Sequence, residues 1–389
     1  MNALQYAQDL VAFPSVSRDS NLPVSDYVQE VLQRLGFDIE RLEYDDPKGV
    51  RKANILGKKG DGQGGLAYFG HTDVVPADDW RAAGGPFQPR VADGRLYGRG
   101  SCDMKGSVAC MLAAAETISQ QPLKQPLYVV CTADEEVGYG GAKQVAARSA
   151  LFAEMVQQQT RAVIGEPTCL EVVHGHKGGA AFTVVSHGKA AHSSTNEGLN
   201  ANWAMIPFLA EMKQLYERTE NSPQWRDSRF DPPTISCNLG MNDHTAAINI
   251  TPARSVCTVH FRPMPGQNLE ELAESVQQAA QQHGLQFEEN IRVSAMFVEP
   301  QSGYIQELLK LTQTPKSRTV SYGTDGSILT DLKQMAVLGP GDIAQAHTVD
   351  EWIDLQQLER GQALYEQLIR HWCLDSSFLA RRPKPKNEE

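Results

Sequence analysis

Residues 66–73 read Leu-Ala-Tyr-Phe-Gly-His-Thr-Asp, a short apolar run that leads directly into a histidine and an aspartate. Three further apolar runs end near a residue that can bind a metal. They are Leu127–Cys131 before Asp134-Glu135-Glu136, Ala162–Ile164 before Gly165-Glu166-Pro167, and Ala336–Leu338, which His347 follows more loosely. Short apolar runs that alternate with helical patterns are typical of a mostly parallel sheet, in which ligands gather at the carboxyl ends of the strands. The sequence therefore predicts an α/β fold whose candidate ligands meet at one edge of the sheet.

The composition is that of a globular protein: of 389 residues, 41% are apolar and 21% are charged. This length predicts two domains. The formal net charge of −11 argues against nucleic-acid binding, since such a protein needs a basic surface to pair with phosphates. Carboxylates that bind metal ions would also contribute to a negative formal net charge.

The seven cysteines are scattered, form no Cys-x-x-Cys pair and are odd in number. They stand at positions 102, 110, 131, 169, 237, 257 and 373. This pattern does not fit a disulfide framework and favours a reducing compartment. The first twenty residues lack a basic segment followed by an apolar one, and no uncharged apolar run reaches ~18 residues. We therefore expect a cytoplasmic protein that does not enter a membrane.

Residues 178–294 differ in pattern from the segments on either side. They read as three strands and two helices: strands at 181–185, 234–239 and 256–261, and helices at 203–216 and 269–283. We expect a smaller α+β domain here. It interrupts a larger α/β domain, formed by residues 1–177 and 295–389, with a mostly parallel sheet and helices on both faces.

Apolar spacing predicts two helices in the larger domain. The first covers Val24–Leu35 and ends at Gly36, and the second follows Asp103 directly and carries its apolar residues on one side. The basic run within residues 380–389 reads as a frayed chain end.

Five side chains near the predicted strand ends are candidate metal ligands: His71, Asp103, Glu136, Glu166 and His347. Two imidazoles and three carboxylates suit zinc, cobalt or manganese. Asp103 is the candidate bridge, because a short carboxylate at a helix N-terminus can turn its two oxygens toward different ions. We expect His71 and Glu166 on one ion, Glu136 and His347 on the other, and between them a water whose pKa the ions lower. Spacing alone leaves this pairing open, and it also leaves open a site with one ion.

Asp73 and Glu135 are candidates for supporting roles. Asp73 lies two residues after His71, on the same side of an extended segment, and is expected to hold the second nitrogen of the imidazole. Glu135 adjoins Glu136, and one of two adjacent acids can bind metal while the other acts as general base on the water and then as acid toward a leaving amine. The alternatives are an ordinary turn aspartate and a solvated loop acid.

Five segments, in chain order, carry a resemblance to a known family. They are GHTDVVP at 70–76, YGRGSCDMKG at 97–106, ADEE at 133–136, GEPT at 165–168 and Ala346-His347. The chain resembles the zinc aminoacylase, succinyl-diaminopimelate desuccinylase and glutamate carboxypeptidase family of metallopeptidases, and its amino-acid deacetylases most of all. The resemblance implies the ligand and proton-transfer roles given above and two divalent ions, Zn²⁺ expected and Co²⁺ as the alternative. It also implies that the smaller domain is the lid and dimerisation domain of a homodimer.

Further residues of the smaller domain follow from the resemblance alone. His192, within GKAAHSS at 188–194, resembles a histidine that reaches across a dimer to polarise the scissile carbonyl. Arg262 and Asn249 resemble lid residues that contact the substrate, and a guanidinium can bind a carboxylate through two parallel hydrogen bonds. A surface ion pair is the alternative for Arg262.

Gly323 and Thr324 resemble a substrate-binding loop, in which Asp325-Gly326 departs from the expected Glu-Ala. The implied activity is removal of an acyl group, acetyl above all, from the α-amine of an amino acid such as N-acetylornithine, in arginine biosynthesis. A desuccinylase and a dipeptidase or carboxypeptidase are alternatives within the family. A metal-binding subunit without catalysis is the alternative outside enzymes, and the presence of Glu135 argues against it, because binding alone needs no proton-transfer group.

Overall fold

The computed structural model describes residues 1–245 and 247–374, which form two compact units. The first unit comprises Met1–His174, Val298–Arg318 and the described residues from Thr324 onward. The second unit comprises Gly175–Phe297 and Thr319–Gly323. The sequence places the boundaries after residues 177 and 294 and gives no sign that 319–323 groups with the second unit. The basic run at 380–389 lies outside the described residues.

Nine α-helices and sixteen strands lie in the described residues. The helices are α1 (Ala3–Val11), α2 (Leu22–Arg34), α3 (Lys105–Thr117), α4 (Gly140–Arg148), α5 (Ala150–Gln157), α6 (Ala201–Asn221), α7 (Leu269–Gln282), α8 (Gly303–Thr312) and α9 (Leu355–Cys373). The strands are β1 (Asp38–Asp45), β2 (Arg51–Lys59), β3 (Leu66–His71), β4 (Arg90–Ala92), β5 (Arg95–Tyr97), β6 (Leu127–Thr132), β7 (Arg161–Ile164), β8 (Val173–His176), β9 (Gly179–His187), β10 (Cys237–Asn242), β11 (Arg254–Phe261), β12 (Gln286–Val293), β13 (Met296–Phe297), β14 (Arg318–Val320), β15 (Met335–Val337) and β16 (Trp352–Asp354).

The largest sheet has the strand order β1-β2-β6-β3-β7-β15-β8-β13, with β14 beside β8. Its centre, β6-β3-β7-β15, is parallel and consists of the four apolar runs, which confirms the predicted fold class. In the register, His71 lies beside Thr132 and Phe69 beside Ile164. The chain therefore leaves β3, β6 and β7 at one edge of the sheet, where the candidate ligands begin.

Helix α3 is more deeply buried than the sequence predicts. The expectation of one apolar side is wrong, because every residue from Lys105 to Ala115 is buried. The run of alanines explains this, since small side chains let both α1 and α9 pack closely against the same helix. Gly165 shows the same close packing: a Cβ there would lie 2.3 Å from the hydroxyl of Ser107 on α3. Any other residue before Glu166 would require the side chains of Ser107 and Tyr68 to move.

The second unit is built on an antiparallel sheet of order β10-β11-β9-β12, against which α6 and α7 pack. Its core includes Phe182, Phe208 and Trp225. The predicted strands β9 and β11 and both helices are confirmed, whereas β10 begins three residues later than expected. The sequence missed β12 because its glutamates and arginine leave it mostly exposed. Strand β10 lies at the sheet edge.

None of the helices in the described residues is long and apolar enough to span a bilayer.

The central position of β6 predicts a large cost for truncating its side chains. Val129 is fully buried between β2 and β3, so Val129→Ala removes two buried methyl groups and leaves a cavity. We expect the free energy of unfolding to fall by about 2 kcal/mol. Val91, on β4, is 43% exposed, so Val91→Ala is the matched control. This variant should change the free energy of unfolding by less than about 0.5 kcal/mol. If urea denaturation shows the same loss of unfolding free energy in both variants, the assignment of β6 to the sheet centre is contradicted.

Candidate metal centre

The structure brings the five candidate ligands together within the first unit. His71 ends β3, Glu166 lies two residues after β7, and Glu136 follows β6. Asp103 stands just before α3, and His347 lies in the loop between β15 and β16. They form two groups: His71, Asp103 and Glu166, and Asp103, Glu136 and His347. In each group the three ligand atoms lie within 4.8 Å of one another, and Asp103 belongs to both.

The carboxylate of Asp103 faces both imidazoles. Its Oδ1 lies 3.1 Å from Nε2 of His71, and its Oδ2 lies 3.3 Å from Nε2 of His347. Glu166 completes the first group, with Oε1 3.7 Å from His71 Nε2. Glu136 completes the second, with Oε2 3.0 Å from His347 Nε2. Asp103 thus lies between the pair His71 and Glu166 and the pair Glu136 and His347, the same pairs that the sequence suggested.

Negative charge dominates this site. Burial and the nearby Asp103 raise the pKa of both Glu166 and Glu136 above the usual range of a carboxyl group. Burial also acts to raise the pKa of Asp103, but hydrogen bonds with His347 and His71 outweigh it and hold that pKa below its ordinary value. Hydrogen bonds to Asp103 and Glu136 raise the pKa of His347 to about 10. The buried carboxylates thus favour the protonated, positively charged form of the imidazole.

This donor set fits divalent cations. Two imidazole nitrogens and three carboxylates are hard to borderline ligands of the kind that zinc, cobalt and manganese take. A cation of charge two would take over the compensation that protonated imidazoles otherwise supply. Cys102, next to Asp103, is occupied elsewhere, because its thiol donates to the main-chain carbonyl of Asp342 at 3.3 Å.

Asp73 supports the site differently from the prediction. Nδ1 of His71 pairs with the main-chain carbonyl of Asp73 at 2.9 Å, whereas the Asp73 carboxylate stays 3.6 Å away. That carboxylate instead accepts hydrogen bonds from the main-chain N–H groups of Glu135 and Glu136, at 3.2 and 3.4 Å, and from the hydroxyl of Ser17 at 2.7 Å. Asp73 therefore orients the imidazole through its backbone and the two glutamates through its side chain.

Glu135 carries a carboxylate that accepts no hydrogen bond from any side chain or main chain in the part of the chain described. Burial raises its pKa well above the usual range, the positive charge of His71 opposes this, and the negative charges of Glu166 and Glu136 add to it. A carboxyl group with a raised pKa beside the ligand cluster can both accept and release a proton.

Two buried carboxylates near the site escaped the sequence analysis as candidate residues. Glu351 accepts four hydrogen bonds from residues 99–103, next to Asp103. Asp325 accepts a hydrogen bond of 2.6 Å from Thr132, and burial raises its pKa to about 6. Two features of the sequence could have pointed to them. Glu351 lies four residues after His347, and Asp325 belongs to the unexpected Asp325-Gly326 pair.

The candidate residues of the second unit are laid out as follows. His192 and Asn249 lie on neighbouring segments, since a β-bridge joins His192 to Ile250. Arg262 directly follows β11, and its guanidinium has no ion pair or hydrogen bond with the described residues, so the alternative of a surface ion pair finds no partner. Gly323 belongs to this unit as well.

Thr324 belongs to the first unit, where it caps a short 3₁₀ turn by accepting a hydrogen bond from the main-chain N–H of Gly326.

The sequence matches one family model, described as peptidase family M20/M25/M40, over residues 67–371. Curated relatives include two proteins named acetylornithine deacetylase. The one from Myxococcus xanthus is 34% identical over 94% of this chain and 96% of its own. The one from Proteus mirabilis (strain HI4320) is 33% identical over 95% of this chain and 97% of its own.

Solved structures share the fold at low identity. The dipeptidase Dug1p of Saccharomyces cerevisiae has a TM-score of 0.76 at 16% identity, over 95% of this chain and 96% of that one. The M20 metallo-carboxypeptidase Sso-CP2 of Sulfolobus solfataricus has a TM-score of 0.74 at 16% identity, over 96% and 99%. The YXEP protein of Bacillus subtilis, described as a dinuclear metal binding peptidase, has a TM-score of 0.59 at 14% identity, over 94% and 96%.

Proposed function

The chain belongs to peptidase family M20/M25/M40, and on that premise we propose that it is a metal-dependent hydrolase that cleaves the amide between an acetyl group and the α-amine of an amino acid. The observation that carries the proposal is the pair of ligand groups sharing Asp103, with the carboxyl of Glu135, which accepts no hydrogen bond from the described residues, beside them. We propose N-acetylornithine as the substrate, and hence a role in arginine biosynthesis, because two relatives at 33–34% identity bear the name acetylornithine deacetylase.

We propose Zn²⁺ as the metal, with Co²⁺ as the alternative, held by His71 and Glu166 on one side of Asp103 and by Glu136 and His347 on the other. When bound, two such ions lower the pKa of a water and polarise a carbonyl oxygen. The remaining steps belong to side chains of this protein.

Glu135 takes the proton from the attacking water and delivers it to the nitrogen of the amide, so that the amine leaves neutral. Its raised pKa suits both halves of this transfer, because a carboxyl group of ordinary pKa would be a poor acid toward an amine. Asp73 keeps Glu135 in place through the main-chain N–H of that residue, and the backbone carbonyl of Asp73 directs Nε2 of His71 toward Asp103.

The second unit supplies the substrate contacts in this proposal. Nδ1 of His192 accepts a hydrogen bond from the main-chain N–H of Ser194 at 3.3 Å, which leaves Nε2 available to a substrate. An Nε2–H group can donate to the oxygen that develops negative charge during attack. The guanidinium of Arg262, which pairs with none of the described residues, can bind the α-carboxylate, with Asn249 as a further contact. Gly323 and Thr324 complete the proposed substrate-binding residues.

A substrate panel tests the activity directly. We expect the metal-loaded protein to hydrolyse N-acetylornithine, and a chelator to abolish turnover by removing the ions that the two ligand groups hold. The panel includes N-acetylcitrulline, N-succinyl-diaminopimelate and a dipeptide, with release of the free amine as the measurement. Preferred cleavage of the succinyl compound or the dipeptide would replace the proposed activity by a desuccinylase or dipeptidase. A chain that binds two ions and cleaves nothing would favour a binding subunit.

Glu135→Gln tests the proton transfer. The amide cannot accept a proton from water, so kcat should fall by about 10²–10⁴-fold while metal content stays at the parental level. Glu171→Gln, at an exposed glutamate that pairs with Arg318, is the matched control and should leave kcat unchanged. Metal analysis beside steady-state kinetics checks both points, and a Glu135→Gln variant as active as the parent refutes the assigned role.

We also propose that the protein works as a homodimer in the cytoplasm. In the second unit, Trp203 and Ile206 on α6 and Leu239 and Met241 on the edge strand β10 expose large apolar side chains, as an interface of two copies requires. The seven cysteines are all free, as is usual in a reducing compartment.

Sedimentation of the full chain tests the dimer. We expect twice the chain mass of 42.8 kDa, and a shift toward monomer for Met241→Lys, because a charge at the edge strand opposes pairing. Val91→Lys places the same charge on an exposed strand residue of the first unit and should leave the mass unchanged. A parent chain that sediments as a monomer at micromolar concentration contradicts the proposal.

A further inference from the structure

The carboxylate of Glu351 is enclosed by the segment that carries Asp103. The residue is 1% exposed, and each of its oxygens accepts two hydrogen bonds. One oxygen accepts from the main-chain N–H groups of Cys102 and Asp103, at 2.8 and 3.0 Å. The other accepts from the N–H of Gly100 and from the guanidinium of Arg99, both at 2.9 Å. All four donors thus come from five consecutive residues.

This geometry requires an anion. Successive main-chain N–H groups that converge on one point form a concave site for negative charge, and Gly100 supplies the positive φ of 84° that the turn needs. A glutamine in place of Glu351 would keep one acceptor oxygen and direct an NH₂ group at two donors. The segment would then lose two hydrogen bonds and the charge that Arg99 compensates.

Glu351 also fixes the loop that carries His347. Its own main-chain carbonyl accepts a hydrogen bond from the N–H of Gly98 at 3.1 Å. The next three residues form β16, which pairs with β5. His347 lies four residues before Glu351, so this one residue joins the loop of His347 to the segment of Asp103.

The two ligand groups are therefore supported unequally. His71 and Glu166 follow central strands, and their side chains are 1% and 6% exposed. The side chain of His347 is 52% exposed and stands on a loop held by main-chain hydrogen bonds at Val349, which accepts from Arg81 at 2.7 Å, and at Glu351, which accepts from Gly98. Only the group of Asp103, Glu136 and His347 has two of its three ligands on segments that Glu351 holds.

We propose that Glu351 is a positioning residue that sets the affinity of the group Asp103, Glu136 and His347 for its metal ion, and affects the group of His71, Asp103 and Glu166 much less. The proposal rests on the proposed two-metal function.

The test is a titration of the metal-free, full-length chain with Co²⁺ against a chromophoric chelator, which gives both dissociation constants without any substrate. We expect the parent to bind two ions. Glu351→Gln should bind one ion with an affinity within about threefold of the parent and the other about 10–100-fold more weakly, the range typical for loss of a group that orients a ligand.

Glu40→Gln is the matched control. The carboxylate of Glu40 also accepts two main-chain hydrogen bonds, from Ala150 and Leu151 at 2.8 and 3.1 Å, but it contacts neither ligand segment. The two Co²⁺ dissociation constants of Glu40→Gln should equal those of the parent. Circular dichroism and thermal unfolding of the metal-free proteins verify the fold. If Glu351→Gln does not fold, Glu351→Asp, which keeps the charge but is one methylene shorter, carries the same expectation.

Unchanged affinities for both ions, or an equal loss at both, would overturn the inference while leaving the proposed function intact. The same loss in Glu40→Gln would also overturn it, because the effect would then be general. A parent chain that binds fewer than two ions would contradict the proposed function itself, and the inference with it.

Discussion

Electrostatic repulsion among carboxylates at the edge of the central sheet is the constraint on which the other features of the site depend. Asp103, Glu136 and Glu166 converge with two imidazoles between them, and the negative charge of Glu166 and Glu136 also acts on the adjacent Glu135. Such a cluster is stable only if cations or protons compensate it. The positions of the two histidines, the raised pKa values and the fit to divalent ions all follow from this single requirement.

The surroundings of the cluster hold these charges in place with backbone groups. Asp73 receives the N–H groups of Glu135 and Glu136, and Glu351 receives those of Gly100, Cys102 and Asp103. Main-chain donors are well suited to this task, because they stabilise a negative charge without adding a side chain that could itself bind the metal. Main-chain hydrogen bonds therefore hold the segments of the candidate ligands at Asp103 and at Glu136.

The sequence predicts those parts of the protein that depend on local pattern. The four apolar runs identify the parallel strands, and the residues that follow them include four of the five candidate ligands, because the direction of a parallel strand decides where its end lies. The burial of α3 on all sides could not be predicted from its own residues, since α1 and α9, which cover it, are distant in sequence. The roles of Glu351 and of the Asp73 carboxylate were equally hidden, because a hydrogen bond between residues 248 positions apart leaves no periodic signal. Strand β12 was missed because a mostly exposed edge strand has no apolar pattern to detect.

The candidate ligands come from distant parts of the chain, and metal binding by them would depend on the order in which the protein folds. His347 meets Glu136 across 211 residues, and the whole second unit lies between them in sequence. The residues of the group His71, Asp103 and Glu166 are all synthesised well before His347. The second group closes only when the C-terminal part of the first unit has joined the N-terminal part. Its ion would then stabilise completed chains alone, and metal supply would govern how long incompletely folded copies remain exposed to proteolysis.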